Sequence, residues 1–238
     1  MPKRNRKPQL LSTNQILNNS GLNMRMVSPK TDKQNDTFIA YELGKHLLLH
    51  GSAGTGKTFM SLYLALQEVM DYRRNFFKVM LVRSVVPTRE MGFLPGSEKQ
   101  KIAIYEQPYV SIVNDLYGRG DAYEILRKKE LIEFKSTSYV RGMTYDNCIV
   151  IVDECQNLNF HELDSIITRM GLNSKILFCG DFTQTDFRTN EKMGLITFME
   201  ILKNLEDFAF VEFGVEDIVR SGIVKDYIIQ KQKHFNAA

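Results

Sequence analysis

The sequence predicts an α/β fold in which helices cover both faces of a mostly parallel central sheet. Residues 148–152 are a run of five apolar, mostly β-branched residues, as expected for a strand that is buried on both faces. Residues 47–49 form a second apolar segment, which leads into a glycine-rich turn and then a helical pattern. The ligand site of such a sheet is expected at the carboxyl ends of its strands.

The composition is that of an ordinary globular protein, with 43% hydrophobic and 25% charged residues. No apolar run approaches the ~18 residues of a membrane helix, and no signal peptide is visible, so we expect an intracellular, cytoplasmic protein. The three cysteines have no metal-ligand spacing, and two of them, which lie in or beside apolar strand patterns, are expected to be buried thiols rather than disulfide partners. The three cysteines are Cys148, Cys155 and Cys179.

Residues 1–30 are predicted to form a basic, mostly irregular arm, and residues 31–238 a single domain. The net charge is only +3, but four cations crowd the first seven residues: Lys3, Arg4, Arg6 and Lys7. Such an arm either neutralises the phosphates of a nucleic acid or is a solvated tail, and both interpretations stay open.

The glycine-rich turn at residues 51–58 matches the pattern G-x-x-x-x-G-K-[ST] of a phosphate-binding loop. Its glycines allow positive φ and a close backbone approach to phosphate oxygens, and the next helix points its positive dipole end at the same anion. Lys57 is expected to hold the β- and γ-phosphates of ATP, and Thr58 to be a ligand of Mg²⁺. A glycine-rich turn without a ligand is the alternative. The predicted nucleotide-binding residues of this stretch are Gly51, Ser52, Ala53, Gly54, Thr55, Gly56, Lys57, Thr58 and Phe59.

A strand predicted at residues 76–82 ends at Arg83, and a long loop without regular structure is predicted at residues 85–108. Cations and aromatic rings are interleaved there, a combination that suits single-stranded nucleic acid. A contact between subunits and plain packing of the loop are the alternatives. The candidate nucleic-acid contacts are Arg83, Arg89, Phe93 and Arg141, and the loop also carries Lys99, Lys101, Tyr105 and Tyr109.

The strand at residues 148–152 is followed by two acids. Asp153 is expected to belong to the shell of Mg²⁺, and Glu154 to orient or activate the attacking water. Two acids that are merely solvated are the alternative. A later strand, at residues 175–179, is expected to place Asp181 and Gln184 beside the γ-phosphate, where Gln184 can sense whether that group is present.

The remaining elements are predicted from periodicity and caps. Helices are expected at residues 31–43, 110–129, 160–170 and 215–232, a strand or hairpin at residues 131–139, and a last strand at residues 208–213.

Together these motifs resemble the PhoH-like family of P-loop ATPases, which is related to superfamily 1 helicases. The resemblance covers about residues 30–231. It rests on Gly-Ser-Ala-Gly-Thr-Gly-Lys-Thr at 51–58, Gly-Phe-Leu-Pro-Gly at 92–96, Arg-Gly-Met-Thr at 141–144, Val-Asp-Glu-Cys-Gln-Asn at 152–157, Thr-Arg-Met-Gly at 168–171 and Gly-Asp-Phe-Thr-Gln at 180–184. Two mild departures, Arg83-Ser84 in place of Arg-Pro and Asp-Glu-Cys-Gln in place of Asp-Glu-Ala-Gln, resemble the short forms found in bacteriophages.

The resemblance implies a three-layer RecA-like P-loop NTPase domain that hydrolyses ATP with Mg²⁺. It also implies RNA binding or unwinding, a link to phosphate starvation, ring-shaped homo-oligomers with a hexamer favoured, and a bacterial host's cytoplasm if the chain is phage-encoded. In P-loop helicases a glutamine near the position of Gln34 reads the adenine; a surface glutamine is the alternative. One RecA-like lobe alone is expected to need a neighbour's arginine in trans, and Arg220 and Arg169 are the candidates.

Two kinds of output stay open for such an ATPase. One is a motor or remodeller of RNA or single-stranded DNA, and the other is a nucleotide-dependent switch or assembly factor that acts on a protein. A small-molecule kinase fits less well, because the sequence shows no substrate lid or second acceptor site.

Overall fold

The computed structural model describes residues 21–71, 76–85, 98–140, 142–182 and 189–236. A six-stranded sheet forms the centre of the protein, and its strands pair only in parallel, which confirms the predicted α/β class. The strands are β1 (His46–Gly51), β2 (Lys78–Arg83), β3 (Ile132–Ser136), β4 (Cys148–Asp153), β5 (Lys175–Gly180) and β6 (Phe208–Phe213). Their order across the sheet is β3, β2, β4, β5, β1, β6.

Seven α-helices surround this sheet in the described part of the chain. They are α1 (Asp32–Glu42), α2 (Lys57–Met70), α3 (Glu98–Tyr117), α4 (Ala122–Lys128), α5 (Phe160–Ile167), α6 (Thr189–Lys203) and α7 (Gly222–Asn236). Short 3₁₀ helices follow β3 at Thr137–Tyr139 and β4 at Cys155–Asn157.

The helices form one layer on each face of the sheet. On β4, Ile149 and Ile151 join the hydrophobic core beneath α2, α3 and α4, whereas Val150 and Val152 join the core beneath α5 and α6. All four side chains are fully buried. Because both faces of the strand are covered, its sequence is apolar throughout instead of alternating, and the architecture has the expected three layers.

The structure corrects the last part of the long loop predicted at residues 85–108, of which residues 86–97 lie outside the described residues. Helix α3 begins at Glu98 and runs through Pro108. Proline usually ends or kinks a helix, because it lacks an N–H and its ring crowds the carbonyl group four residues earlier, so its presence wrongly favoured a loop. Arg89 and Phe93, two predicted nucleic-acid contacts, lie outside the described residues.

Three other predicted elements differ in their boundaries. The helix expected at residues 110–129 is divided into α3 and α4, with Gly118 at φ +61° between them. The strand or hairpin expected at residues 131–139 is the single strand β3, which pairs in parallel with β2. The C-terminal helix begins at Gly222 rather than at residue 215.

All three cysteines are free and buried, as predicted for two of them. The described residues contain no cluster of three or more His, Cys, Asp or Glu side chains that could hold a metal ion. Among those same residues, every helix is too short or too polar to cross a bilayer.

Candidate functional site

The glycine-rich loop joins β1 to α2 at the carboxyl edge of the sheet. Gly51 adopts φ +112°, and a Cβ atom there would overlap the backbone oxygen of Phe213 on the neighbouring strand β6. Gly56, the N-cap of α2, adopts φ +88°. Only glycine fits at residue 51 without a backbone shift, and the positive φ angles favour glycine at residues 51 and 56. The loop therefore folds back onto the N-terminus of α2, the arrangement that binds phosphate in other proteins.

Lys57 is the first residue of α2, and the loop itself holds its ammonium group. Nζ donates to the carbonyl oxygens of Gly51 and Ser52, each at 2.8 Å, and lies 3.5 Å from Oγ1 of Thr55. Burial lowers the pKa of this ammonium group, although Asp181 and other negative groups oppose that shift. A partly desolvated cation of this kind gains stabilisation from a bound anion.

Thr58 and Asp153 meet at the end of β4. Oγ1 of Thr58 donates to Oδ1 of Asp153 at 2.8 Å, and the hydroxyl group of Tyr109 donates to Oδ2 at 2.9 Å. Burial raises the pKa of the Asp153 carboxyl group, and the two hydrogen bonds only partly offset that rise. A hydroxyl beside a carboxylate suits Mg²⁺, which takes few protein oxygens and completes its octahedron with phosphate oxygens and water.

Glu154 follows Asp153 with a left-handed backbone at φ +51°, a conformation that costs non-glycine residues about 1–2 kcal/mol. Its carboxylate accepts a hydrogen bond from Nε2 of Gln156 at 2.5 Å, and Oε1 of Gln156 accepts the backbone N–H of Asp181 at 3.1 Å. Gln156 thus connects the ends of β4 and β5. Gln156 was not among the predicted site residues, although its position two residues after Glu154 is a signal in the sequence.

A cavity of about 860 Å³ opens where these groups meet, which is within the range of about 300–1,000 Å³ that holds small-molecule ligands. Its wall combines loop residues, acids and arginines. The loop residues are Ala53, Gly54, Thr55, Gly56, Lys57, Thr58 and Phe59, the acids include Asp153, Glu154 and Asp181, and the arginines are Arg25, Arg83 and Arg220. Cations set around carboxylates suit a polyanion that carries a divalent cation.

The two arginines predicted to act in trans lie in different places. Arg220 lines the cavity of its own chain, and its Cγ is 2.8 Å from the position that a Cβ atom on Gly54 would occupy. Arg169 does not line this cavity; its Nη1 donates to the backbone oxygen of Ser165 at 2.7 Å. The sequence did not distinguish these two positions.

Arg83 and Tyr109, which the sequence places at the two ends of the loop considered for nucleic-acid binding, face the cavity and the core, respectively. Arg83 is the last residue of β2 and lines the cavity. Tyr109 is on α3 and fully buried, so its ring cannot stack on a base. Gln184 and Arg141 lie outside the described residues, and their roles stay predictions.

Gln34, near the start of α1, fastens that helix to the glycine-rich loop. Nε2 donates to the backbone oxygen of Thr55 at 2.9 Å, and Oε1 accepts the backbone N–H of Lys30 at 2.8 Å. The residue is only 5% exposed, unlike a solvated surface glutamine, and it lines the cavity. A glutamine amide has two hydrogens and two lone-pair directions, so a contact with a nucleobase is compatible with both bonds.

Replacing Gln34 by Ala is expected to lower the free energy of unfolding by about 1–3 kcal/mol, because the buried backbone oxygen of Thr55 and the partly buried N–H of Lys30 both lose their partner. Urea unfolding, followed by circular dichroism, measures this loss. The matched control is Gln34→Glu, which keeps an acceptor for Lys30 but has no donor for Thr55, and we expect an intermediate loss. An unchanged unfolding midpoint in Gln34→Ala would contradict the assigned role.

The chain is similar to a known protein family over most of its length. The profile of the family described as "PhoH-like protein" matches residues 26–231. The chain is 32% identical over 205 residues to the PhoH-like protein of Bacillus subtilis, a match that covers 86% of this chain and 63% of that protein. It is also 32% identical over 214 residues to the PhoH-like protein of Synechocystis sp., covering 90% of this chain and 64% of that one. The chain therefore spans slightly less than two thirds of the length of these relatives.

Among solved structures, the large terminase from a thermophilic bacteriophage has a similar fold, with a TM-score of 0.51 and 11% identity. The match covers 84% of this chain and 50% of that one. At this level of identity the similarity concerns the fold alone. It agrees with the parallel sheet and the loop after β1, and the predicted RecA-like P-loop NTPase fold is confirmed.

Proposed function

The chain belongs to the PhoH-like protein family, and from that membership we propose that it is an Mg²⁺-dependent ATPase coupled to RNA or other single-stranded nucleic acid. The observation that carries the proposal is the contact between Thr58 and Asp153 beside Lys57 in one cavity. A cation for phosphate oxygens and two oxygen ligands for a hard metal are what a P-loop ATPase needs for its substrate.

In the proposed reaction, Lys57 and the amide groups of residues 53–58 bind the phosphates of ATP. Thr58 and Asp153 would hold Mg²⁺, which, when bound, neutralises charge that develops on the phosphate oxygens. Glu154 orients a water in line with the bond between the γ-phosphorus and the bridging oxygen, and accepts its proton as the new P–O bond forms. The bridging oxygen leaves with ADP and keeps the electrons of the broken bond. Gln184 is proposed to report the γ-phosphate.

The nucleic-acid partner, a ring-shaped homo-oligomer such as a hexamer, and a link to phosphate starvation are supported by the family resemblance rather than by the geometry of the site. A nucleotide-dependent switch that acts on a protein is the competing function. The two differ in what stimulates hydrolysis, because a motor must contact the strand along which it works.

We expect the purified protein to hydrolyse ATP with Mg²⁺ and to lose this activity with EDTA. Single-stranded RNA or DNA should raise the steady-state rate, and added salt should reduce that stimulation because phosphate contacts release counterions. If polynucleotide left the rate of hydrolysis unchanged at every salt concentration, the nucleotide-dependent switch would be favoured. A protein that does not hydrolyse ATP at all would contradict the proposed activity.

A further inference from the structure

Strand β2 brings Arg83 to the acids of the site. β2 pairs in parallel with β4, and the register places Arg83 directly opposite Asp153. Both residues end their strands at the cavity, and Arg83 is half-buried in its wall. Glu154, the proposed base, follows Asp153 and lines the same cavity. The γ-phosphate, which is attacked by the water that Glu154 orients, therefore lies near the guanidinium group.

Two tyrosines of α3 hold the Arg83 side chain. Its Cζ atom lies 5.8 Å from the centroid of the Tyr105 ring, a separation at which a cation is attracted to the ring face. The hydroxyl group of Tyr109 donates to Asp153, and it also helps to raise the pKa of the guanidinium group. Tyr109 itself is fixed by full burial and by packing against Phe134, with 5.6 Å between ring centroids. The arginine is therefore oriented before any ligand binds.

The positive charge of Arg83 is available for a ligand. Within the described part of the chain, no Asp or Glu oxygen lies close enough to form an ion pair with it. Burial lowers the pKa of the guanidinium group, but the influence of Tyr109, Asp153 and Glu154 outweighs burial and raises it. Arg220, the other arginine considered for catalysis that lines the cavity, is exposed, and its Cγ lies close to Gly54.

We propose that Arg83 is a catalytic arginine that contacts the γ-phosphate bound by its own chain, with Tyr109 as the positioning residue that holds it beside Asp153. The inference rests on the proposed ATPase activity and specifies how charge on the transferring phosphoryl group is stabilised. With Arg83 in this role, a neighbouring subunit need not supply an arginine in trans. The rate per subunit is accordingly independent of protein concentration.

The test compares Arg83→Ala with the parent and with Arg127→Ala, in which an exposed arginine of α4 that pairs with Glu124 is removed. An arginine that stabilises this transition state is worth ~10³–10⁵ in rate in well-studied GTPases, and we expect Arg83→Ala to lower kcat at least ~10²-fold. Its dissociation constant for Mg-ADP should stay within about threefold of the parent value, while tight binding of Mg-ADP with aluminium fluoride, a mimic of the transferring phosphoryl group, is lost. Arg127→Ala should match the parent in all three measurements.

Tyr109→Phe separates positioning from folding. It removes one hydroxyl group and keeps the buried ring, so the protein should still fold, although Oδ2 of Asp153 loses one donor and the melting temperature should fall somewhat. We expect kcat and affinity for the aluminium fluoride complex to fall together, with Mg-ADP affinity retained. Equal loss of both ligands in Arg83→Ala would show a structural role and overturn the inference, as would a parental kcat. A parent protein without ATP hydrolysis would instead overturn the proposed function itself.

Discussion

Replacing Glu154 by Gln is expected to lower the rate of ATP hydrolysis by about 10²–10⁴-fold, the usual contribution of a general base, without loss of nucleotide binding. Glutamine has the shape of glutamate and can still accept the hydrogen bond from Gln156, so the link to β5 is kept. It cannot accept a proton from water. Steady-state hydrolysis and titration with a fluorescent ATP analogue measure the two effects separately.

Lys57→Ala provides the contrast for Glu154→Gln. It removes the ammonium group that the loop carbonyls of Gly51 and Ser52 hold at the start of α2, so nucleotide binding and hydrolysis should both be lost. The pair of variants therefore separates binding from chemistry. If Glu154→Gln hydrolysed ATP at the parental rate, the base would have to be another group; if Lys57→Ala did so, the phosphate-binding assignment of the loop would be wrong.

The parts of the site that sequence predicts well are those whose structure is determined locally. The run at residues 148–152 carries its own burial pattern, because a strand covered on both faces excludes polar residues. The loop at residues 51–58 likewise contains the glycines that its positive φ angles require. The local sequence is therefore enough to place this strand, turn and helix.

The parts that sequence missed depend on contacts between distant segments. Tyr109 and Asp153 are separated by 44 residues, and no periodicity connects them. Arg83 was correctly placed at the end of a strand, but only the strand order shows that β2 lies beside β4, and so that its guanidinium group faces the cavity. Pro108 also led to a wrong prediction, because a proline favours a loop. The structure instead has helix α3 there, and Tyr109 of this helix lies in the core.

A buried ion pair anchors the far end of the helix that begins with Lys57. Nζ of Lys175, the first residue of β5, lies 3.1 Å from Oε2 of Glu68 on α2, and the two side chains are only 7% and 9% exposed. Nζ also lies 3.8 Å from the centroid of the Tyr41 ring. The pair thus connects α2 to the sheet at the end opposite the site, and it joins two elements that both reach the cavity.

Lys175→Met is expected to lower the free energy of unfolding by about 3–5 kcal/mol, because it takes the ammonium group away from a carboxylate, that of Glu68, which stays buried. The double variant Glu68→Leu with Lys175→Met should recover part of that loss, since it removes the buried carboxylate as well. Urea denaturation measures all three proteins. The control is Lys78→Met, which breaks a pair with Glu133 whose side chains are 35% and 40% exposed and should cost less than about 1 kcal/mol. Equal losses in the Lys175 and Lys78 variants would show that burial does not set the strength of the α2–β5 anchor.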